Sequence, residues 1–369
     1  MKTKQLLSLG LLTTLLCSCA PSNVIYDLDE YQTDLAWKEG FTVCQLNDLH
    51  LSTSSNLREE FEYFRNIISL NGTEKPDLIV LNGDAFMDAN REVVTQTIDF
   101  FDSLEIPFGL TYGNHDTQGF YSSNFVNQIM LEATHSIYKN PDSRGKDNVF
   151  GRSNYFVNLK EGNELKWQVI FMDSNSYYGG NYDTIHDDQV TWYERVILES
   201  NGLVERPSVI DETTFAKSLL FFHIPTPEFK TEIEDFKTNH PGVKSHEDQY
   251  CDVRENISSG INKNMHLNIM KAIGEYHSTV SIGIGHDHIN NTDLRYEDEN
   301  GWPFHLIYGM KSSRGIYHDP DIIGATFYTL HETKETNEYG HDVYFDLKMV
   351  ALQYGQDISQ GVTIWSTKA

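Results

Sequence analysis

Five short blocks of Asp, Asn and His limit what this chain can become more than any other feature of its sequence. They are Asn47-Asp48-Leu49-His50, Gly83-Asp84, Gly113-Asn114-His115-Asp116, the single His223, and Gly285-His286-Asp287-His288. Each begins where an apolar run ends, at 41–46, 78–81, 108–112, 218–222 and 280–284. Short runs of this kind, rich in Val, Ile, Leu and Phe, read as buried strands. In open α/β sheets, sites gather at the carboxyl ends of strands. Five such ends, each carrying metal-ligand residue types, would meet along one edge of the molecule.

Between the runs lie helical patterns. Leu57, Phe61, Phe64 and Ile68 share one face of a helix that Gly72 and Pro76 stop. Val94, Ile98 and Phe101 mark a second helix ending before Pro107, and a third is expected around 188–199. Ile261, Met265, Ile269 and Ala272 form a further stripe. Strands are also expected at 167–172, 304–308, 325–331 and 343–350, the last three with few helices between them. The pattern predicts an α/β fold of two sheets packed face to face, with helices outside.

The amino terminus has a different character. Lys2 and Lys4 precede an apolar stretch at 6–16, and small residues follow to Ala20. This is the pattern of a secretory signal, too short to span a bilayer as a mature helix. Leu16-Cys17-Ser18-Cys19 resembles a bacterial lipoprotein box, although Cys17 stands where that box has Ala, Ser, Thr or Val. The resemblance implies a signal peptide at 1–18, a lipid on Cys19, export to the cell envelope and a membrane anchor. Residues 19–38 then read as a polar tether and 39–369 as one domain, because no linker, repeat or low-complexity tract interrupts them. The formal charge of −26 repels polyanions, so nucleic acid is not an expected partner. Beyond the leader only Cys44 and Cys251 remain, which is no disulfide framework, and Cys44 reads as a small buried hydrophobe.

Each block has a chemical rationale. On extended backbone, residues two apart face the same way, so Asp48 and His50 can bind side by side, as can His286 and His288. A carboxylate at a strand tip, as at Asp84, can bridge two cations, and Gly83 removes a side chain from its approach. Asn114 offers a neutral amide oxygen. Asp116 can accept a hydrogen bond from the His115 ring, fix its tautomer and favour its protonated form. Other His, such as His135, His246 and His318, lack such company. No H-E-x-x-H and no G-x-S-x-G occurs.

The order D-x-H, G-D, G-N-H-D, H and G-H-x-H, over about residues 41–290, resembles the calcineurin-like metallophosphoesterase superfamily. It is also similar to single-domain relatives of purple acid phosphatases. The resemblance implies a sandwich of two mixed β-sheets flanked by α-helices. It implies one metal on Asp48, His50 and His288, another on Asn114, His223 and His286, Asp84 bridging them, and His115 as acid or transition-state donor. Where purple enzymes carry an iron-binding Tyr, this chain has Met87.

The expected activity is phosphate-ester hydrolysis by direct attack of a metal-bound hydroxide, with small phosphomonoesters favoured over diesters or lipid head groups. Two divalent cations against Asp48 and Asp84 leave a site charge of about +2, which suits a phosphate. Nitrogen and oxygen ligands without thiolate suit Mn, Fe or Zn. Arg314 could reach a substrate phosphate, or be a loop charge. A non-catalytic metal-binding lipoprotein is the alternative from another class.

Overall fold

In the computed structural model, which describes residues 27–72, 75–118, 123–141, 149–239, 265–336 and 342–367, the apolar runs become the central strands of two sheets. The first part of the chain gives β1 (Gln32–Ala36), β2 (Phe41–Leu46), α1 (Leu57–Ile68), β3 (Leu78–Asn82), α2 (Arg91–Asp102), β4 (Phe108–Thr111) and α3 (Ser123–Glu132). The middle gives β5 (Tyr155–Glu161), β6 (Glu164–Phe171), β7 (Tyr177–Tyr178), β8 (Asn181–Tyr182), α4 (Asp187–Ser200), β9 (Lys217–Phe221) and α5 (Pro227–Asn239). The last part gives α6 (Ile269–Tyr276), β10 (Thr279–Ile284), β11 (Asp293–Glu297), β12 (Pro303–Tyr308), β13 (Gly324–Thr336), β14 (Asp342–Ala351) and β15 (Val362–Ser366).

One sheet has seven strands in the order β1-β5-β6-β9-β10-β12-β11, and the other six in the order β15-β14-β13-β2-β3-β4. Both are mixed. β2, β3 and β4 run parallel, as do β6, β9, β10 and β12, while β13, β14 and β15 pair antiparallel. The sheets meet face to face: Phe221 of one and Tyr328 of the other are 5.5 Å apart edge to face, and Tyr155 donates its hydroxyl to the Leu110 carbonyl at 3.1 Å. The helices cover the outer faces. α1 and α2 join through Phe61–Phe100 stacking at 4.5 Å, and α4 is tied to β10 by Tyr193 and Thr279 hydroxyls 2.8 Å apart.

The expected α/β sandwich is therefore what forms, with two corrections. Residues 28–37 are not a tether. Leu28, Tyr31 and Trp37 are buried, Trp37 stacks on Trp167, and β1 pairs parallel with β5. β1 is an edge strand with one polar face, so its sequence lacks an apolar run. The helical stripe begins only at Ile269, because the Asn268 side chain accepts from the Met270 and Lys271 amides and caps the helix there. Ile261, Cys251, the signal at 1–18 and Cys19 lie outside the described residues. Among the described residues no helix is long and apolar enough to cross a membrane.

The parallel registers align the strand ends that matter. Leu46 pairs with Leu81, Asn82 with Thr111, and Phe221 with Gly283. The Asn82 side chain spans the two sheets, donating to the Phe222 and Gly283 carbonyls at 3.2 and 3.1 Å and accepting from Thr111 Oγ1 at 2.9 Å. One buried amide thus ties together the ends from which four of the five blocks depart.

Candidate metal centre

The blocks do not leave their strands on extended backbone. Asp48, His50, Asp84 and His286 all have positive φ, at 53°, 46°, 49° and 80°. Left-handed backbone at non-glycine residues costs on the order of 1–3 kcal/mol each and persists only where surroundings impose it. The surroundings here are specific. The Asp48 and His50 amides donate to the Gly83 and Asp84 carbonyls at 3.2 and 2.8 Å. Lys311 Nζ donates to the Asp48 carbonyl at 2.5 Å, and Ser313 Oγ to the Leu49 carbonyl at 2.7 Å. The expectation of same-side projection by strand alternation is corrected. Each pair is aimed by a tight turn.

The seven expected ligands are all buried. Asp48, His50 and His288 each offer an atom within 4.8 Å of the others, and so do Asp84, His223 and His286. A third such group, His50, Asp84 and His115, joins them. His50 Nε2 and His288 Nε2 are 2.9 Å apart, and His50 Nε2 is 3.7 Å from both Asp48 Oδ1 and Asp84 Oδ2. His223 Nε2 is 3.2 Å from Asp84 Oδ2. Two rings have their tautomers set from behind. His223 Nδ1 lies 3.0 Å from the Asn82 carbonyl and His288 Nδ1 3.0 Å from the Tyr317 carbonyl, so each donates Nδ1–H and turns its Nε2 lone pair inward. Asn114 follows Gly113, where a Cβ would fall 2.2 Å from Asp84 Oδ1, and precedes His115, whose amide donates to that oxygen at 2.7 Å. Gly83 has φ 82°, and a Cβ there would meet the His223 ring at 2.3 Å, so no other residue fits this approach.

The charges show what the arrangement demands. Burial alone would raise the carboxyls of Asp48 and Asp84, but both are held well below the usual range. His288, His50 and His223 do this for Asp48, and His223, His50 and His115 for Asp84. His50 is pushed down to about 3, chiefly by burial and then by Lys311. His223 goes up to about 10, because Asp84 and Asp48 outweigh its burial. Two buried carboxylates recruit positive charge, and a proton or a metal cation answers the same field. Asn114 Oδ1 is buried and accepts no hydrogen bond among the described residues. An orphaned amide oxygen beside carboxylates and inward imidazole lone pairs fits a hard or borderline cation.

A family model for calcineurin-like phosphoesterases matches residues 41–290, about two-thirds of the sequence. The chain belongs to that family. It is 27% identical over 301 residues to Phosphatase DCR2 of Saccharomyces cerevisiae, covering 73% of this chain and 47% of that protein. It is 24% identical over 318 residues to "Probable inactive purple acid phosphatase 14" of Arabidopsis thaliana, covering 78% and 75%, and 25% identical over 233 residues to "Probable inactive purple acid phosphatase 29", covering 59% and 56%. The chain thus spans about half the length of the yeast relative. Among solved structures, purple acid phosphatase PPD1 from yellow lupin seeds aligns at 12% identity with a TM-score of 0.41, over 88% of this chain and 52% of that one.

Two expected contacts of this phosphoesterase differ in the structure. Asp116 does not orient His115. Its oxygens accept from the Phe86 and Gly113 amides, both at 2.8 Å, and burial with Asp84 nearby raises its pKa to about 8. Asp116 builds the turn, and the His115 Nδ1 partner is Gln118 Oε1 at 3.1 Å. Arg314 stacks on Tyr354 at 4.4 Å, pairs with Glu59 and lies 3.7 Å from Glu60, so its charge is spent on α1. The residues of that loop that serve the site are Lys311, Ser312 and Ser313, which bond the backbone of Asn47–Leu49. Sequence reading missed Lys311, Asn82 and Gln118. A polar side chain closing an apolar strand was the available signal for Asn82.

Proposed function

We propose that this calcineurin-like phosphoesterase is a dinuclear metal-dependent hydrolase that favours small phosphomonoesters. One observation carries the reading: the Asp84 carboxylate stands between the two ligand sets, its Oδ2 3.7 Å from His50 Nε2 and 3.2 Å from His223 Nε2, as a bridging ligand would. Asp48, His50 and His288 would hold one ion, and Asn114, His223 and His286 the other. Two bound cations of Mn, Fe or Zn type would supply Lewis-acid charge to a phosphoryl group and lower the pKa of a water.

The chain's residues supply the rest. The Asn82 and Tyr317 carbonyls keep the His223 and His288 lone pairs inward. His115 is half-buried, with its ring 5.1 Å from that of His50. Gln118 accepts from its Nδ1–H and leaves Nε2 to hold a proton for a departing alkoxide. Lys311 and the serines beside it keep the Asp48 turn in its left-handed form. Export with a lipid on Cys19 belongs to the same proposal, and Cys19→Ala should release the protein from membranes.

The test is an assay of 4-nitrophenyl phosphate and bis(4-nitrophenyl) phosphate with Mn, Fe and Zn. Hydrolysis of the monoester at the higher kcat/KM supports the proposal. Diester preference would make it a phosphodiesterase. The word "inactive" in two plant relatives' names favours a second reading, a metal-binding protein without turnover. Two bound metals with neither ester cleaved would establish that one.

A further inference from the structure

The hairpin of β7 and β8 stands beside the metal centre and supplies none of its seven expected ligands. Its turn is Gly179-Gly180, with φ of 59° and 88°, and a Cβ at either would meet nothing within 4 Å. These glycines serve backbone conformation alone, since a two-residue turn with both φ positive has the twist that closes a hairpin tightly. A two-stranded ribbon is marginal by itself. This one is fastened below its strands, where the Asp183 amide donates to the Ser176 carbonyl at 3.1 Å and Asn175 Nδ2 to the Thr184 carbonyl at 2.9 Å. Tyr182 packs edge-on against the His286 ring, with centroids 4.4 Å apart. Tyr177, its cross-strand partner, stacks on Tyr182 at 5.2 Å. Tyr177 and Tyr178 remain 53% and 49% exposed.

Cross-strand tyrosine pairs stabilise hairpins generally, and that accounts for the Tyr177–Tyr182 stack. It does not account for the lean of Tyr182 onto a metal-side imidazole, nor for two half-exposed tyrosines at the tip. Two ring contacts lead from His286 to an aromatic face open to solvent. An ester arm that left a phosphoryl group on the His286 side of the centre would pass along that face.

We propose that the Tyr177–Tyr182 hairpin is a stacking shelf for the leaving group, so that the preferred substrates are phosphate esters whose alcohol carries a planar aromatic ring. This rests on the phosphoesterase reading for turnover but not for binding, and the test separates the two. Benzylphosphonate and ethylphosphonate, which cannot be hydrolysed, are titrated calorimetrically into the Mn-loaded protein. The wild type should bind the benzyl compound about five- to tenfold more tightly, in the range of one aromatic contact. Tyr177→Ala should bring that ratio close to one, and Tyr177→Phe should keep it. Equal affinities in the wild type, a ratio unchanged in Tyr177→Ala, or no binding of either compound overturns the shelf. Benzyl phosphate turnover is followed in parallel. No turnover with the binding ratio intact overturns the hydrolase reading and leaves the shelf standing.

Discussion

The two ends of strands β9 and β10 make opposite use of buried charge. At the carboxyl end, Asp48, Asp84 and five imidazoles crowd together, with Asp48, His50, Asp84 and His286 on left-handed backbone and Asn114 Oδ1 accepting nothing among the described residues. At the amino end, roughly 17–20 Å away along five or six strand residues, Lys217 is buried, and its donors find carbonyl acceptors. It donates to the Glu212 and His277 carbonyls at 2.5 and 3.0 Å and lies over the Trp302 and Tyr344 rings at 5.1 and 5.2 Å. A cavity of about 890 Å³ opens there, lined by Trp302, Tyr344, His305 and Lys334 among others. Its charges are matched within the chain: Lys334 with Glu212 at 2.7 Å, and His305 with Asp293 at 2.6 Å. Cavity volume marks one end and unmet ligand capacity the other. The second is the mark of chemistry here.

The comparison breaks first at Asp84. Asp84→Asn removes the charge shared by two of the three groups, so metal content should fall below one ion per chain and activity by about a thousandfold or more. Elemental analysis with two ions retained would refute the bridge. His115→Ala comes next. It should lower kcat by about a hundredfold or more while both ions stay bound. An unchanged kcat would remove His115 from the chemistry. Gln118→Ala, which frees the His115 ring, should cost about tenfold in kcat while both ions stay bound. Asp116→Asn should reach kcat only through lost folding, because both Asp116 oxygens face backbone amides.

The candidate centre was more legible in the sequence than the rest of the fold. Apolar runs ending in Asp, Asn or His specify both a buried strand and its functional tip, so the gathering of the blocks could be read without knowing any pairing. Their backbone could not. Alternation suggested extended turns, although Asp, Asn and His are the residues most enriched in left-handed conformations, and that was the neglected signal. β1 was illegible because Gln32-Thr33-Asp34-Leu35-Ala36 gains its place only from β5, more than a hundred residues on. Arg314 and Lys311 sit three apart in one loop, yet one pairs with Glu59 and the other braces Asp48. Local sequence gives a cation's presence, and its partner comes from elements over 250 residues away.

The smallest expected effect on activity belongs to the amino end, and it sharpens the contrast. Lys217→Met keeps the apolar stem and removes the donor, leaving the Glu212 and His277 carbonyls short of a partner at a cost of about 1–3 kcal/mol. Thermal unfolding should shift down by several degrees while kcat/KM stays at the wild-type value. The variant should also differ in its response to pH. Burial, opposed by Glu212 and Asp211, lowers the Lys217 pKa from its ordinary 10.5 to about 8 in the folded chain. Between those values the unfolded chain holds a proton that the folded chain has released, so wild-type stability gains a rising contribution from pH 8 to 10.5. Below pH 8 both states are protonated and the full penalty of burying the charge remains. Lys217→Met lacks this group, so the difference in stability between wild type and variant should widen as pH rises through that window. A difference that stays flat across pH 8–10.5 would mean that Lys217 keeps an ordinary affinity for its proton, and the amino end would then hold its charge without strain of any kind.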